Sequence, residues 1–140
     1  MLQTDLGPSY LVAGPIDIDL HPTYRTPDLA VVHTSLVGHR TRPTLPADLL
    51  LVVEVVSPSS VTTDRITKPA QYAAAGIPAY WRVETSPEIS LTAYVLPDGA
   101  GVFAEVGTWT AGQTAHLEQP FRIDVAIDRL TPGPAEVGQR

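Results

Sequence analysis

Three residues of this chain have types and positions that could do chemistry. Asp28 directly follows Pro27, Glu54 stands inside an aliphatic run, and Lys68 is the only lysine among 140 residues. The run is Leu49-Leu50-Leu51-Val52-Val53-Glu54-Val55-Val56. Burying an unpaired carboxylate costs several kcal/mol or drives its pKa up. Glu54 therefore needs a cation, a hydrogen-bond network or a proton. Two carboxylates and an ammonium are the parts of a metal-assisted phosphodiester hydrolysis. Carboxylate oxygens hold a hard cation such as Mg²⁺, which acidifies a water and neutralises phosphate charge. The ammonium orients that water or stabilises the charged phosphorus centre. The same residue types fit equally well a buried Glu54–Lys68 ion pair with a purely structural role.

The elements that must position these groups follow from local pattern. The run around Glu54 has no polar alternation, as in a strand covered on both faces in the middle of a mixed or parallel sheet. Ser57-Pro58-Ser59 ends it, since proline donates nothing to a ladder. Residues 29–32 form a second buried-strand candidate with Asp28 at its mouth, although Pro-Asp is also a common turn pair. Residues 16–20 alternate apolar and acidic. This pattern puts Asp17 and Asp19 on one face, which is a solvated surface more readily than a metal site.

Lys68 precedes Pro69 and the helix-forming stretch 70–75, which Gly76 stops. Proline is comfortable at the first helical position, so the helix starts near Thr67 or Lys68, after an irregular or kinked turn over 61–67. Thr62, Thr63 and Asp64 are candidate caps. Residues 10–13, 79–84, 90–96, 102–106, 114–117 and 121–123 read as strands, residues 1–9 as irregular, and 34–48 as a polar loop. That loop carries His39, Arg40 and Arg42, the densest basic cluster. His33 lies in a strand as a core or edge group. Residues 1–131 form one domain, and 132–140, with two prolines and two glycines, form a frayed tail.

Composition narrows the classes. Hydrophobic content of 44% and charged content of 17% suit a globular domain. There is no cysteine, which excludes disulfides, thiolate zinc sites and a cysteine nucleophile. No apolar run is long enough for a membrane span, and a cytoplasmic location is the default expectation. The net charge of −6 argues against nucleic-acid binding by bulk charge, so any such role needs a local basic surface.

A resemblance sharpens this reading. Pro27-Asp28, Glu54-Val55-Val56-Ser57-Pro58-Ser59, Asp64, Lys68, Tyr72, Gly76-Ile77-Pro78 and Tyr80-Trp81-Arg82-Val83-Glu84 occur in that order. Their series resembles the Uma-two family of restriction endonucleases, within the PD-(D/E)xK nuclease superfamily. It spans about residues 10–130 and is densest over 51–84. The resemblance implies a restriction-endonuclease-like α/β fold, with a mixed sheet, one principal helix and a β-rich C-terminal half. It implies a DNA endonuclease that uses Mg²⁺ or Mn²⁺. Asp28, Glu54 and the backbone carbonyl of Val55 become the metal ligands, and Lys68 the catalytic lysine. The superfamily lysine lies two residues after the acid on the strand. Here that position is Val56, and Lys68 matches a lysine moved to the following helix. Tyr72 could reach the same face, although a core aromatic is the simpler reading; Tyr80 and Trp81 read as core.

Two features depart from the family pattern. Residue 79 is alanine where glutamate is frequent, and the N-terminal helices usual in the family are missing. The expected consequence is a partly bare sheet and hence a homodimer or larger oligomer. The competing functional class is an inactive oligomeric or DNA-associated module that keeps the fold.

Overall fold

The computed structural model describes residues 3–4, 9–35, 44–57, 59 and 62–130. The expected tail over 132–140, the cluster His39, Arg40 and Arg42, and Pro58 lie outside the described residues.

The aliphatic run around Glu54 is strand β6 (Leu49–Val56), and it is central. It lies between β5 (Leu29–His33), antiparallel with Leu29 opposite Val53, and β7 (Ala79–Glu84), parallel with Glu54 opposite Arg82. The sheet extends outward through β2 (Tyr10–Ala13) beyond β5, and through β8 (Ser90–Val95) and β9 (Ala104–Thr110) beyond β7, giving the order β2-β5-β6-β7-β8-β9. A parallel β6–β7 pair requires a crossover. The principal helix, α1 (Lys68–Ala74), supplies it.

The strand alternation divides the core between two faces. Ala30, Val32, Val52 and Tyr80 face the helix with Tyr72, Ile77 and Ile18. Val31, Leu51, Val53, Trp81 and Leu91 face the other way, onto a small sheet. That sheet has the order β1-β11-β10, with β1 (Gln3–Thr4), β10 (Thr114–Leu117) and β11 (Ile123–Ala126). Its apolar residues Ala115, Leu117, Ile123 and Val125 complete the second core. Tyr80 and Trp81 are core residues, as expected, at 0% and 3% exposure.

Several expected boundaries move. Residues 1–9 are not wholly irregular, because Gln3 and Thr4 pair with Asp124 and Ile123. The final strand begins at Ile123, not residue 121, because Leu117 pairs with Ile123 and the residues between form the link. The expected strand over 102–106 begins at Ala104 and runs on to Thr110. The expected strand over 16–20 shrinks to β3 (Ile18–Asp19), paired with β4 (Tyr24–Arg25). Asp17 and Asp19 do not form a metal-binding face. Asp17 accepts the Thr26 hydroxyl at 2.7 Å, and Asp19 accepts the His21 N–H at 2.8 Å, so both brace the hairpin.

The expected kinked turn over 61–67 is helical over its described residues, 62–67. Thr63–Thr67 is a π-helical turn that runs directly into α1. The Lys68 N–H reaches back five residues to the Thr63 carbonyl. In that register Pro69 would serve the Asp64 carbonyl, but proline has no N–H. The Tyr80 hydroxyl donates to the Asp64 carbonyl instead, at 2.7 Å.

The far end of α1 closes as Gly76 predicts. The Gly76 N–H bonds the Ala73 carbonyl and the Ile77 N–H bonds the Tyr72 carbonyl. Gly76 has φ +86°, so this is a Schellman stop. Ile77 and Tyr72, both fully buried, make the accompanying apolar contact and fix Tyr72 on the sheet.

Candidate functional site

Glu54 lies near the C-terminal end of β6, on the helix face, with 2% of its surface exposed. Its two oxygens have different partners. Oε2 accepts the Tyr72 hydroxyl at 2.6 Å, and Oε1 lies 3.3 Å from Lys68 Nζ. Burial pushes the Glu54 carboxyl above the usual carboxylate range. The Tyr72 hydrogen bond and the Lys68 charge act against that rise, and the negative charge of Asp28 adds to it.

Asp28 stands where β5 begins. Leu29 pairs with Val53, so Asp28, in the bend just before β5, lies beside the end of β6 that carries Glu54, and its charge acts on the Glu54 carboxyl. Asp28 is exposed, and its Oδ2 accepts the Val55 N–H at 2.7 Å. The Val55 N–H therefore points toward the β5 side, past the last paired residue of that strand. N–H and C=O of one strand residue point to the same side, so the Val55 carbonyl is directed there as well.

Lys68 is aimed from the helix start. Its ammonium has a second neighbour, Asp64 Oδ1, at 2.8 Å, closer than Glu54. Burial disfavours the charged ammonium, but the Asp64 and Glu54 carboxylates outweigh it and hold Lys68 above the usual lysine range. Tyr72 is also pushed up, first by burial and then by the adjacent Glu54, so its hydroxyl stays protonated and acts as a donor.

The structure thus joins Glu54 directly to Lys68 and ties Asp28 to the neighbouring Val55 of the same strand. The contacts of the Lys68 ammonium are with Glu54 and Asp64, not with Asp28. Tyr72 combines both of its readings, with a buried ring and a hydroxyl in the site. Asp64, expected as a cap and as one of the landmarks of the family series but not as a site residue, stands against the Lys68 ammonium. Its signal was present: residues 64, 68 and 72 repeat at four-residue spacing and share a helix face.

Beside this group lies a second ion network. Glu84 accepts Arg65 Nε and Arg82 Nε, each at 2.8 Å, and Arg82 lies 5.5 Å from the centre of the Tyr94 ring. The Arg65 hydrogen bond holds the Glu84 carboxyl below the usual range.

Among the described residues no three carboxylate or imidazole side chains converge to hold a metal ion. Two carboxylates and a backbone carbonyl could still do so. Asp28 uses one oxygen on Val55, each carboxylate oxygen carries a further lone pair, and acids outnumber the ammonium three to one. Oxygen donors of this kind fit a hard cation that keeps several of its waters. Among the described residues no helix is long and apolar enough to cross a membrane.

A six-stranded mixed sheet with one crossover helix, an acid on the central strand and a β-rich C-terminal half define a restriction-endonuclease-like α/β protein. The chain matches the Uma2 family model, described as "Putative restriction endonuclease", over residues 2–129, and belongs to that family. No curated protein matches the chain.

Proposed function

We propose that this protein is a metal-dependent endonuclease that hydrolyses DNA phosphodiester bonds. The observation that carries this reading is the convergence, near the C-terminal end of β6, of Glu54 with Lys68 and of Asp28 with the backbone of Val55. Family membership supports the nuclease class. Asp28, Glu54 and the Val55 carbonyl would hold Mg²⁺ or Mn²⁺. Such a cation, when bound, supplies charge neutralisation at the phosphate and a more acidic water.

The remaining work falls to the chain. Tyr72 orients the Glu54 carboxylate by donating to Oε2, leaving Oε1 toward Lys68. Lys68 presents N–H donors to the attacking water or to a phosphate oxygen, where a fixed positive charge counts most. Asp28, at the exposed edge, is the acid that DNA meets first.

One observation favours the competing reading, an inactive oligomeric or DNA-associated module. Glu54 is nearly sealed from solvent, with both oxygens engaged.

Calorimetric titration with Mn²⁺ and a plasmid-nicking assay test the proposal. The unmodified protein should bind Mn²⁺ saturably and nick DNA only with metal. Glu54→Ala should abolish both, and Asp28→Ala should weaken binding and remove cleavage. DNA binding without metal binding or cleavage would establish the competing reading.

A further inference from the structure

We propose that Asp64 is a positioning residue: its carboxylate, more than that of Glu54, fixes where the Lys68 ammonium stands, and Tyr80 in turn fixes Asp64. The role rests on the reading of Lys68 as a catalytic group, but the geometry behind it is independent of metal and DNA. Lys68 Nζ is 2.8 Å from Asp64 Oδ1 and 3.3 Å from Glu54 Oε1. Asp64 is 1% exposed, so its charge acts through little water. Once Glu54 turns to a cation, Asp64 is, among the described residues, the remaining carboxylate in contact with the ammonium.

The backbone is arranged to keep Asp64 there. An α-helix advances about 100° per residue, which would leave positions 64 and 72 roughly 80° apart. A π-turn takes more residues per turn and removes part of that drift. The turn over Thr63–Thr67 thereby brings Asp64 nearer the face that carries Lys68 and Tyr72. Pro69 withholds the N–H that would close this register on the Asp64 carbonyl, and the buried Tyr80 hydroxyl replaces it at 2.7 Å. Tyr80 is itself held by its ring, stacked on Phe103 with centroids 5.8 Å apart. Glu54 and Asp64 thus hold the lysine from two elements, and β7 anchors the second.

The chain contains a single lysine, so lysine labelled with ¹³C and ¹⁵N gives one side-chain ammonium signal by NMR. In the metal-free full chain, the ammonium protons should be protected from solvent exchange. Protection should persist in Glu54→Gln. In Asp64→Asn exchange should become about tenfold faster, the order expected for loss of a charge-assisted hydrogen bond, with the backbone amide spectrum otherwise kept. Should Asp64→Asn fail to fold, Tyr80→Phe provides the same test. It should also speed exchange, and Pro69→Ala in that background, by restoring an N–H, should slow it again. An unprotected ammonium in the unmodified protein, protection retained in Asp64→Asn, or exchange unchanged in Tyr80→Phe would each overturn the proposal. None of these readouts involves cleavage, so failure of the nuclease reading would be seen separately.

Discussion

Tyr72 donates its hydroxyl to Glu54 Oε2 at 2.6 Å, joining the middle of the only α-helix among the described residues to the only acid inside the aliphatic run of β6. The contact satisfies one oxygen of a carboxylate that is 2% exposed. Phenylalanine would keep the ring and remove the donor. Tyr72→Phe should therefore lower stability by about 1–3 kcal/mol at neutral pH, the cost of leaving a buried acceptor short of a partner. Urea denaturation monitored by Trp fluorescence measures this, and a loss below about 0.5 kcal/mol would show that water replaces the hydroxyl.

Glu54 also sets a pH dependence. Its folded pKa lies above the unfolded value because burial disfavours the charge. A group raised in this way contributes stability below its unfolded pKa, near 4.3, and that contribution is lost as pH rises through the folded value. Glu54→Gln mimics the protonated acid and has no such loss. The stability of Glu54→Gln relative to the unmodified protein should grow as pH rises above about 4 and then level off. Unfolding curves for both proteins from acid to neutral pH provide the comparison; a constant difference would mean that Glu54 titrates normally.

Lys68→Ala should cost both stability and cleavage. The ammonium separates two nearly sealed carboxylates and is itself 18% exposed. Removing one partner of a buried pair costs about 3–5 kcal/mol, and the partial exposure of Lys68 places this case at the lower end. Arginine should restore part of the stability but little activity, because its planar guanidinium is larger than the compact ammonium and presents its donors in a fixed fork. Thermal unfolding and plasmid nicking on the same two variants separate the effects. Full activity in Lys68→Ala would remove the residue from the mechanism.

Gly76→Ala should destabilise by about 1 kcal/mol, since φ +86° is costly for any residue with a Cβ. Among the described residues, no atom beyond its chain neighbours lies within 4 Å of the place a Cβ would take, so the cost lies in the backbone conformation and not in packing. A thermal midpoint unchanged within error would show that the helix stop relaxes freely.

The central position of β6 was legible from the sequence, because an unbroken aliphatic run needs cover on both faces. So were the helix, its glycine stop and the strand Ala79–Glu84, whose signals lie within a few adjacent residues. Lys68 at a helix start was legible too, since Pro69 fixes the first turn. The partners of these groups were not. Asp64 looks like a cap in sequence, and only the π-turn, together with a tyrosine sixteen residues away, turns its carboxylate toward Lys68. Asp17 and Asp19 looked like a shared face, until the pairing of β3 with β4 gave each a local hydrogen bond. Strand and helix periodicity is a short-range property of the backbone, so sequence determines which elements form and which residue types they carry. Which carboxylate meets which cation depends on register, on where β5 ends beside β6, and on how a proline-interrupted helix winds, and tertiary packing alone decides these.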